Sequence, residues 1–185
     1  MDETEADLAD LQALLDRSYA AAGPHLLDIH TPPRRVPAAQ LAERLQGMCL
    51  LVLATVTADG RPLTGPVDGI FYRGAFYFSS SPESVRLRHI ARRPQVSATH
   101  LPSEEFAVVV HGRAEPIDLG DPEQAGFRHC LLGIYVPRYG PEWETWMAQE
   151  GARYYRIEAH RMFDFLMDDP NPTAGTGEPT APGAP

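Results

Sequence analysis

The sequence predicts a mainly β domain, an antiparallel barrel with flanking helices, and three observations predict it. Short apolar or alternating segments recur five or six times between turn signals. Helical stretches fall before, between and after them without the regular alternation of βαβ units. The longest apolar run, CLLVLATV from Cys49 to Val56, has the length of a buried strand and is far short of the roughly 20 residues a membrane helix needs. With 185 residues, 43% hydrophobic and 22% charged, the chain suits one globular core with trimmings.

Leu8, Leu11, Leu14, Leu15 and Tyr19 recur at helical spacing, so residues 4–21 read as an amphipathic helix closed by AAGPH. Residues 25–36, with TPPRR inside them, read as a connector, and Pro37 as the first residue of a second helix reaching about Gly47. Residues 1–47 are thus expected to pack helices on the barrel, which occupies 48–167. The first strand is CLLVLATVT; Asp59-Gly60 marks a turn, PLTGPVDGIFYR returns, and Arg73-Gly74 turns again into AFYFSSS. Ser81 followed by Pro82 predicts an N-cap and first turn, with a helix from Pro82 to about Arg92 whose Leu87, Ile90 and Ala91 face the sheet. QVSATHL and EEFAVVVHGRAEPI supply two further strands, residues 121–136 and 141–150 read as helices, and ARYYRIEAHRMFDFL closes with strand character. Residues 168–185 are rich in proline and glycine with no apolar pattern, and are expected to be disordered.

The formal charge of -9 argues against nucleic acid or an anionic membrane as a partner. Cys49 and Cys130 lie far apart and the acidic opening MDETEADLAD has no signal-peptide character, so reduced thiols in a cytoplasm are expected. The chain contains no lysine, which excludes a pyridoxal Schiff base and a P-loop lysine. There is no G-x-S-x-G, no H-E-x-x-H and no paired Cys-x-x-Cys, and the one Gly-x-Gly lies in the tail. Among seven histidines, His100 and His111 fall on neighbouring strands and are the pair to weigh as metal or haem ligands; without clustered spacing they read better as ordinary strand histidines, and no metal site is expected. Tyr135, Tyr139, Trp143 and Trp146 suit either a ligand wall or, better, the packing of a helix onto the barrel or a partner.

One segment concentrates charge against the trend. SSSPESVRLRHIARRP, residues 79–94, holds Arg86, Arg88, Arg92 and Arg93 with His89 behind Ser79, Ser80, Ser81 and Ser84. Serine hydroxyls and first-turn amides with a guanidinium make an anion pocket, and a phosphate suits it. Against this, Glu83 already complements the first turn and Ser81 already supplies a cap.

The ordered set LVLATV, ADGRP, PLTGPVDGIFY, SSSPES and R-x-R-H-I-x-R-R-P-x-V-S resembles the split β-barrel flavin and deazaflavin oxidoreductases related to pyridoxamine 5′-phosphate oxidase, over about residues 48–117. The resemblance implies FMN or the deazaflavin F420, held between two subunits of a homodimer. It implies that Ser80, Ser84, Arg86 and Arg88, with Ser79 and His89 beside them, hold the cofactor phosphate. It sets Pro66, Val67 and Asp68 along the flat ring system, with Gly69 allowing close backbone approach or marking a bulge. A true pyridoxamine phosphate oxidase resembles R-P-x-x-R-x-V-L-L-K along the second strand; here Gly65 stands at its first arginine, and Ser84-Val85-Arg86 replaces Ser-Arg-Lys, so that specific activity is not expected. The lysine-free, arginine-rich composition of a high-GC genome tilts the expectation towards F420. The resemblance implies hydride transfer by the cofactor, with no catalytic side chain singled out and Asp68 or Tyr72 the candidates for donating a proton. The alternative is a non-catalytic barrel that stores, senses or transfers haem or flavin.

Overall fold

The computed structural model describes residues 2–149 and 151–167, with backbone alone for 146–149. Six antiparallel strands close a barrel in the order β1-β2-β3-β6-β5-β4: β1 Met48–Val56, β2 Pro62–Tyr72, β3 Ala75–Ser80, β4 Gln95–His100, β5 Phe106–Ile117 and β6 Arg153–Leu166. Strand alternation sorts the side chains. Leu51, Leu53, Val67, Phe76, Phe78, Val108, Val110, Ile157 and Met162 fill the interior, each under a tenth exposed. The β2–β3 hairpin turns through Arg73 (φ 48°) and Gly74 (φ 76°), two successive left-handed residues whose twist suits a tight hairpin.

Helix α1, Glu5–Ala20, starts in a reciprocal cap: the Asp7 amide donates to Thr4 Oγ1 (3.2 Å) and the Thr4 amide to Asp7 Oδ2 (2.9 Å). Its buried stripe is Leu11, Leu14, Leu15 and Tyr19, as the spacing predicts. The connector is more ordered than expected, holding α2, Pro24–Ile29, and a 3₁₀ turn, Pro32–Arg34. Pro37 caps α3, Ala38–Arg44, from outside (ψ 146°) and is not its first helical residue.

β6 is long enough to outrun its neighbour. β3 pairs only with Arg153–Arg156, whereas β5 follows β6 from Tyr154 to Leu166. α1 covers the edge this leaves: Ser18 Oγ accepts from the Met162 amide (3.0 Å), and the Tyr19 hydroxyl accepts from the Asp164 amide (3.1 Å) and donates to its carbonyl (2.7 Å).

Two sequence expectations are corrected here. The helix expected at Pro82 begins three residues later, as α4, Val85–Ile90. Ser84, in extended conformation, accepts from the Leu87 amide (3.3 Å), while residues 81–84 form a turn closed by the Ser84 amide on the Ser81 carbonyl (3.0 Å). Starting there buries Leu87 and Ile90 and leaves Ala91 exposed. Gly69 neither bulges nor offers its backbone to a ligand. Its pairing with Cys49 and Phe78 is continuous, and a Cβ there would lie 2.5 Å from Leu51 Cδ1 and 2.7 Å from the Cys49 carbonyl. The glycine is needed because the barrel interior is packed against it. Cys49 and Cys130 are free, with thiols raised by burial to about 11 and about 12. No helix among the described residues is long and apolar enough to cross a membrane. The tail from residue 168 lies outside the described residues.

Candidate functional site

The outer face of β2, β3 and β6 is apolar where an ordinary barrel would be polar. Ile70, Tyr77 and Tyr154 point outward, and α5, Ala125–Tyr139, covers them with Phe127, Leu131 and Tyr135. Tyr77 stacks on Phe127 with centroids 4.1 Å apart. Helix α6, Glu142–Gln149, follows, and its Trp143 stacks on Tyr135 at 4.5 Å and 10°. Where helices and sheet diverge, they enclose a cavity of about 450 Å³. This is the size and character of a small-molecule site, an apolar hollow with a few polar groups.

Asp68 and Ser79, each one position beyond the last β2–β3 pair of Gly69 with Phe78, line this cavity. The Tyr135 hydroxyl makes a long hydrogen bond, 3.4 Å, to Asp68 Oδ2, and burial with that carboxylate's charge raises the Tyr135 phenol. Tyr154 is raised to about 12 by burial. Tyr72 is not part of the wall; its hydroxyl lies under Gly126 at the start of α5.

One step along β2, Pro66 meets the basic segment. Arg86 Nη1 donates to the Pro66 carbonyl (3.1 Å), and a Cβ on Gly65 would stand 3.0 Å from Arg86 Nη2. The guanidinium from α4 therefore occupies the space beside the very position where a pyridoxamine phosphate oxidase strand would carry its first arginine. Ser80 Oγ donates to Ser84 Oγ (3.0 Å), so two of the expected phosphate ligands are joined. A phosphate suits this group: the Ser84 hydroxyl keeps its own proton to donate while accepting from Ser80 and the Leu87 amide, and the guanidinium has donors left over from its one backbone bond.

The other expected residues divide. Val67 is only 6% exposed and its side chain belongs to the barrel interior, so only its backbone borders the outer face. His89 Nδ1 bonds the Thr55 hydroxyl (3.0 Å), which fastens α4 to β1. Arg88 is exposed on α4: its amide donates to the Ser84 carbonyl (3.3 Å), and its side chain makes no hydrogen bond or ion pair among the described residues. His100 and His111 do not converge: His111 pairs with Ser97, His100 lies three positions further along β4, and an odd spacing puts them on opposite faces. Each ring is engaged, His100 Nδ1 with the Leu50 carbonyl (2.9 Å) and His111 Nδ1 with Ser97 Oγ (2.8 Å).

Tyr77, Phe127, Leu131, Tyr154 and Glu142 escaped the sequence reading, although three outward-facing apolar residues on successive strands were a signal that something must cover them. Tyr135, Tyr139 and Trp143, weighed mainly as packing residues, both stack on one another and wall the cavity. The side chain of Trp146 lies outside the described residues.

A family model described as pyridoxamine 5′-phosphate oxidase matches residues 38–163. The chain belongs to that family. Its barrel is similar to three solved structures. A conserved hypothetical protein of Mycobacterium tuberculosis superposes with a TM-score of 0.59 at 18% identity, over 73% of this chain and 88% of that one. HutZ, the haem storage protein of Vibrio cholerae, gives 0.53 at 18% over 70% and 94%. An FAD-binding protein of Mesorhizobium loti gives 0.53 at 20% over 73% and 98%. At these identities the likeness establishes the fold alone. No curated protein matches.

Proposed function

We propose that this member of the pyridoxamine 5′-phosphate oxidase family is an oxidoreductase that uses FMN or F420 to transfer a hydride to or from a small organic substrate. One observation carries the reading: Arg86, two residues past the Ser84 that bonds Ser80, reaches the Pro66 carbonyl, and the aromatic cavity opens at Asp68, about 7 Å further along β2. A phosphate held at the first point directs a flat ring along Pro66 to Asp68 and leaves the cavity for substrate. The bound cofactor supplies the hydride chemistry; the chain's residues bind, orient and exclude water. Asp68, hydrogen-bonded by Tyr135, is the polar group nearest that ring track and the candidate for holding a proton. The strength of the F420 alternative rests on composition; the FAD-binding neighbour favours a flavin.

The reading includes a homodimer. Leu50 and Val52 on β1 are 55% and 49% exposed, and their register partners are Asp68 and Pro66. A second copy laid over them would bury this apolar border and close the cofactor's open side.

Titrating the purified chain with FMN, F420 and haemin, followed by fluorescence or absorbance, tests the reading. Micromolar or tighter binding of FMN or F420, one per subunit of a dimer, is expected. Binding of neither, with a haem Soret band instead, would replace the oxidoreductase with a haem-binding barrel.

A further inference from the structure

The walls of the cavity beneath α5 and α6 specify more than a flavin neighbour requires. Tyr135 lies in an aromatic stack, with Tyr139 at 5.9 Å and 15° on one hand and Trp143 at 4.5 Å and 10° on the other. Opposite this roof the floor is Tyr77 and Tyr154. Two carboxylates join the lining, Asp68 from the strand and Glu142 from the first turn of α6, and among the described residues no arginine or histidine does. Two cations touch wall residues without lining the cavity: Arg156 bonds the Tyr77 hydroxyl, and the Arg138 guanidinium lies over the Tyr139 ring (5.5 Å). A further group awaits a partner: Tyr154 is 93% buried and lines the cavity, yet its hydroxyl has no hydrogen-bond partner among the described residues. That hydroxyl is open to the hollow rather than sealed in protein, so a polar atom of a ligand there can bond it.

We propose that this cavity binds an organic cation, a small molecule with a flat apolar body and a protonated or quaternary nitrogen. The body lies between the Tyr77–Tyr154 floor and the Tyr135–Trp143 roof, where apolar ring surface covers it. The nitrogen turns to Asp68 and Glu142, and the Tyr154 hydroxyl bonds a polar atom of the ligand. An anion of the same shape would meet two carboxylates and no cation in the lining itself, and so be disfavoured by repulsion. The chain's net charge of -9 adds a long-range pull of the same sign. As the identity of a substrate, this rests on the oxidoreductase reading; as a binding site it stands without it.

Calorimetry on the purified full-length chain, with no flavin added, compares 1-naphthylmethylamine, neutral 1-naphthalenemethanol and 1-naphthaleneacetate at pH 7. The amine should bind at least tenfold more tightly than the carboxylate, with the alcohol between them. Glu142→Gln, on an exposed helix turn, and Asp68→Asn should each weaken the amine three- to tenfold and change the alcohol less than twofold. Amine binding should survive saturation with whichever flavin the chain takes. Equal binding of amine and carboxylate, or indifference of the amine to both substitutions, overturns the proposal while leaving flavin binding untouched. Loss of amine binding on saturation with flavin would give the cavity to the cofactor and overturn it too.

Discussion

At the scale of single residues, position along a short helix separates two arginines that look alike in the sequence. Arg86, two residues past the Ser84 that bonds Ser80, reaches the Pro66 carbonyl and the space beside Gly65. Arg93, past the end of α4, donates to the Ala58 carbonyl (3.1 Å) and fastens the β1–β2 loop. Arg86→Ala should weaken FMN by on the order of 10-fold or more, because a charge-assisted hydrogen bond contributes roughly 1.5 to 3 kcal/mol and each 1.4 kcal/mol is tenfold. Riboflavin, which lacks the phosphate, should bind both forms alike, and Arg93→Ala should leave FMN affinity within about twofold. Parallel titrations of the two variants with the two ligands check this; equal losses for FMN and riboflavin would show that Arg86 serves the fold and not a phosphate. The serine-arginine cluster was legible because its residue types are rare together in so acidic a chain. What the sequence withheld was which serine caps the helix: Ser81 and Ser84 are equivalent by type, and the burial of Leu87 and Ile90 decides between them.

At the scale of elements, glycines show what periodicity misses. Gly112 sits at the irregularity between His111 and Gly112 where β5 slips against β6, and a Cβ there would stand 2.2 Å from the Glu158 carbonyl oxygen, which is backbone and cannot step aside. Gly133 lies in the exposed middle of α5 with nothing within 4 Å of its Cβ position. Gly112→Ala should cost about 1–3 kcal/mol through overpacking, and Gly133→Ala should stabilise by about 0.5–1 kcal/mol through helix propensity. Urea midpoints of both variants measure this, and a destabilised Gly133→Ala would mean that α5 covers its outer face with something not yet described. All six strands were legible from alternation and turn residues, since period-two patterning survives whatever packs outside. The cavity was not, because it exists only where α5 and α6 part from β2, β3 and β6, a matter of helix placement that no window of sequence contains. The aromatics of 135–143 carried the same stacking signal whether they packed or walled a hollow.

At the scale of the whole molecule, the N-terminal helices and the barrel are joined through one buried carboxylate. Asp164 is fully buried on β6; its Oδ1 accepts from the Val36 amide (2.6 Å), its carbonyl takes the Tyr19 hydroxyl (2.7 Å) and meets His30 Nδ1 (2.7 Å), and among the described residues its Oδ2 has no partner. The sequence announced the amphipathic α1 but gave no sign of this junction, since FDFL reads as a strand whichever way its aspartate points. Burial raises the Asp164 carboxyl above the ordinary carboxylate range, and the Val36 amide, the Tyr19 hydroxyl, His30 and Arg35 pull it only partly back. The folded chain therefore holds a proton that the unfolded chain releases, so this group's contribution is fully present at acid pH and is lost as pH rises from the ordinary carboxylate value through the raised one. Asp164→Asn keeps an acceptor for the Val36 amide and offers N–H donors in place of the unpartnered oxygen, and it cannot titrate. Its thermal midpoint relative to the native chain should accordingly climb as pH rises above about 4 and level off once the native carboxyl is ionised. Other carboxylates titrate equally in both proteins and cancel in the difference. Melting curves at half-unit steps from pH 4 to 8 read it directly: a difference that stays flat would mean Asp164 titrates as it does in the unfolded chain, and one that shrinks would mean His30 and Arg35 outweigh burial and hold it charged.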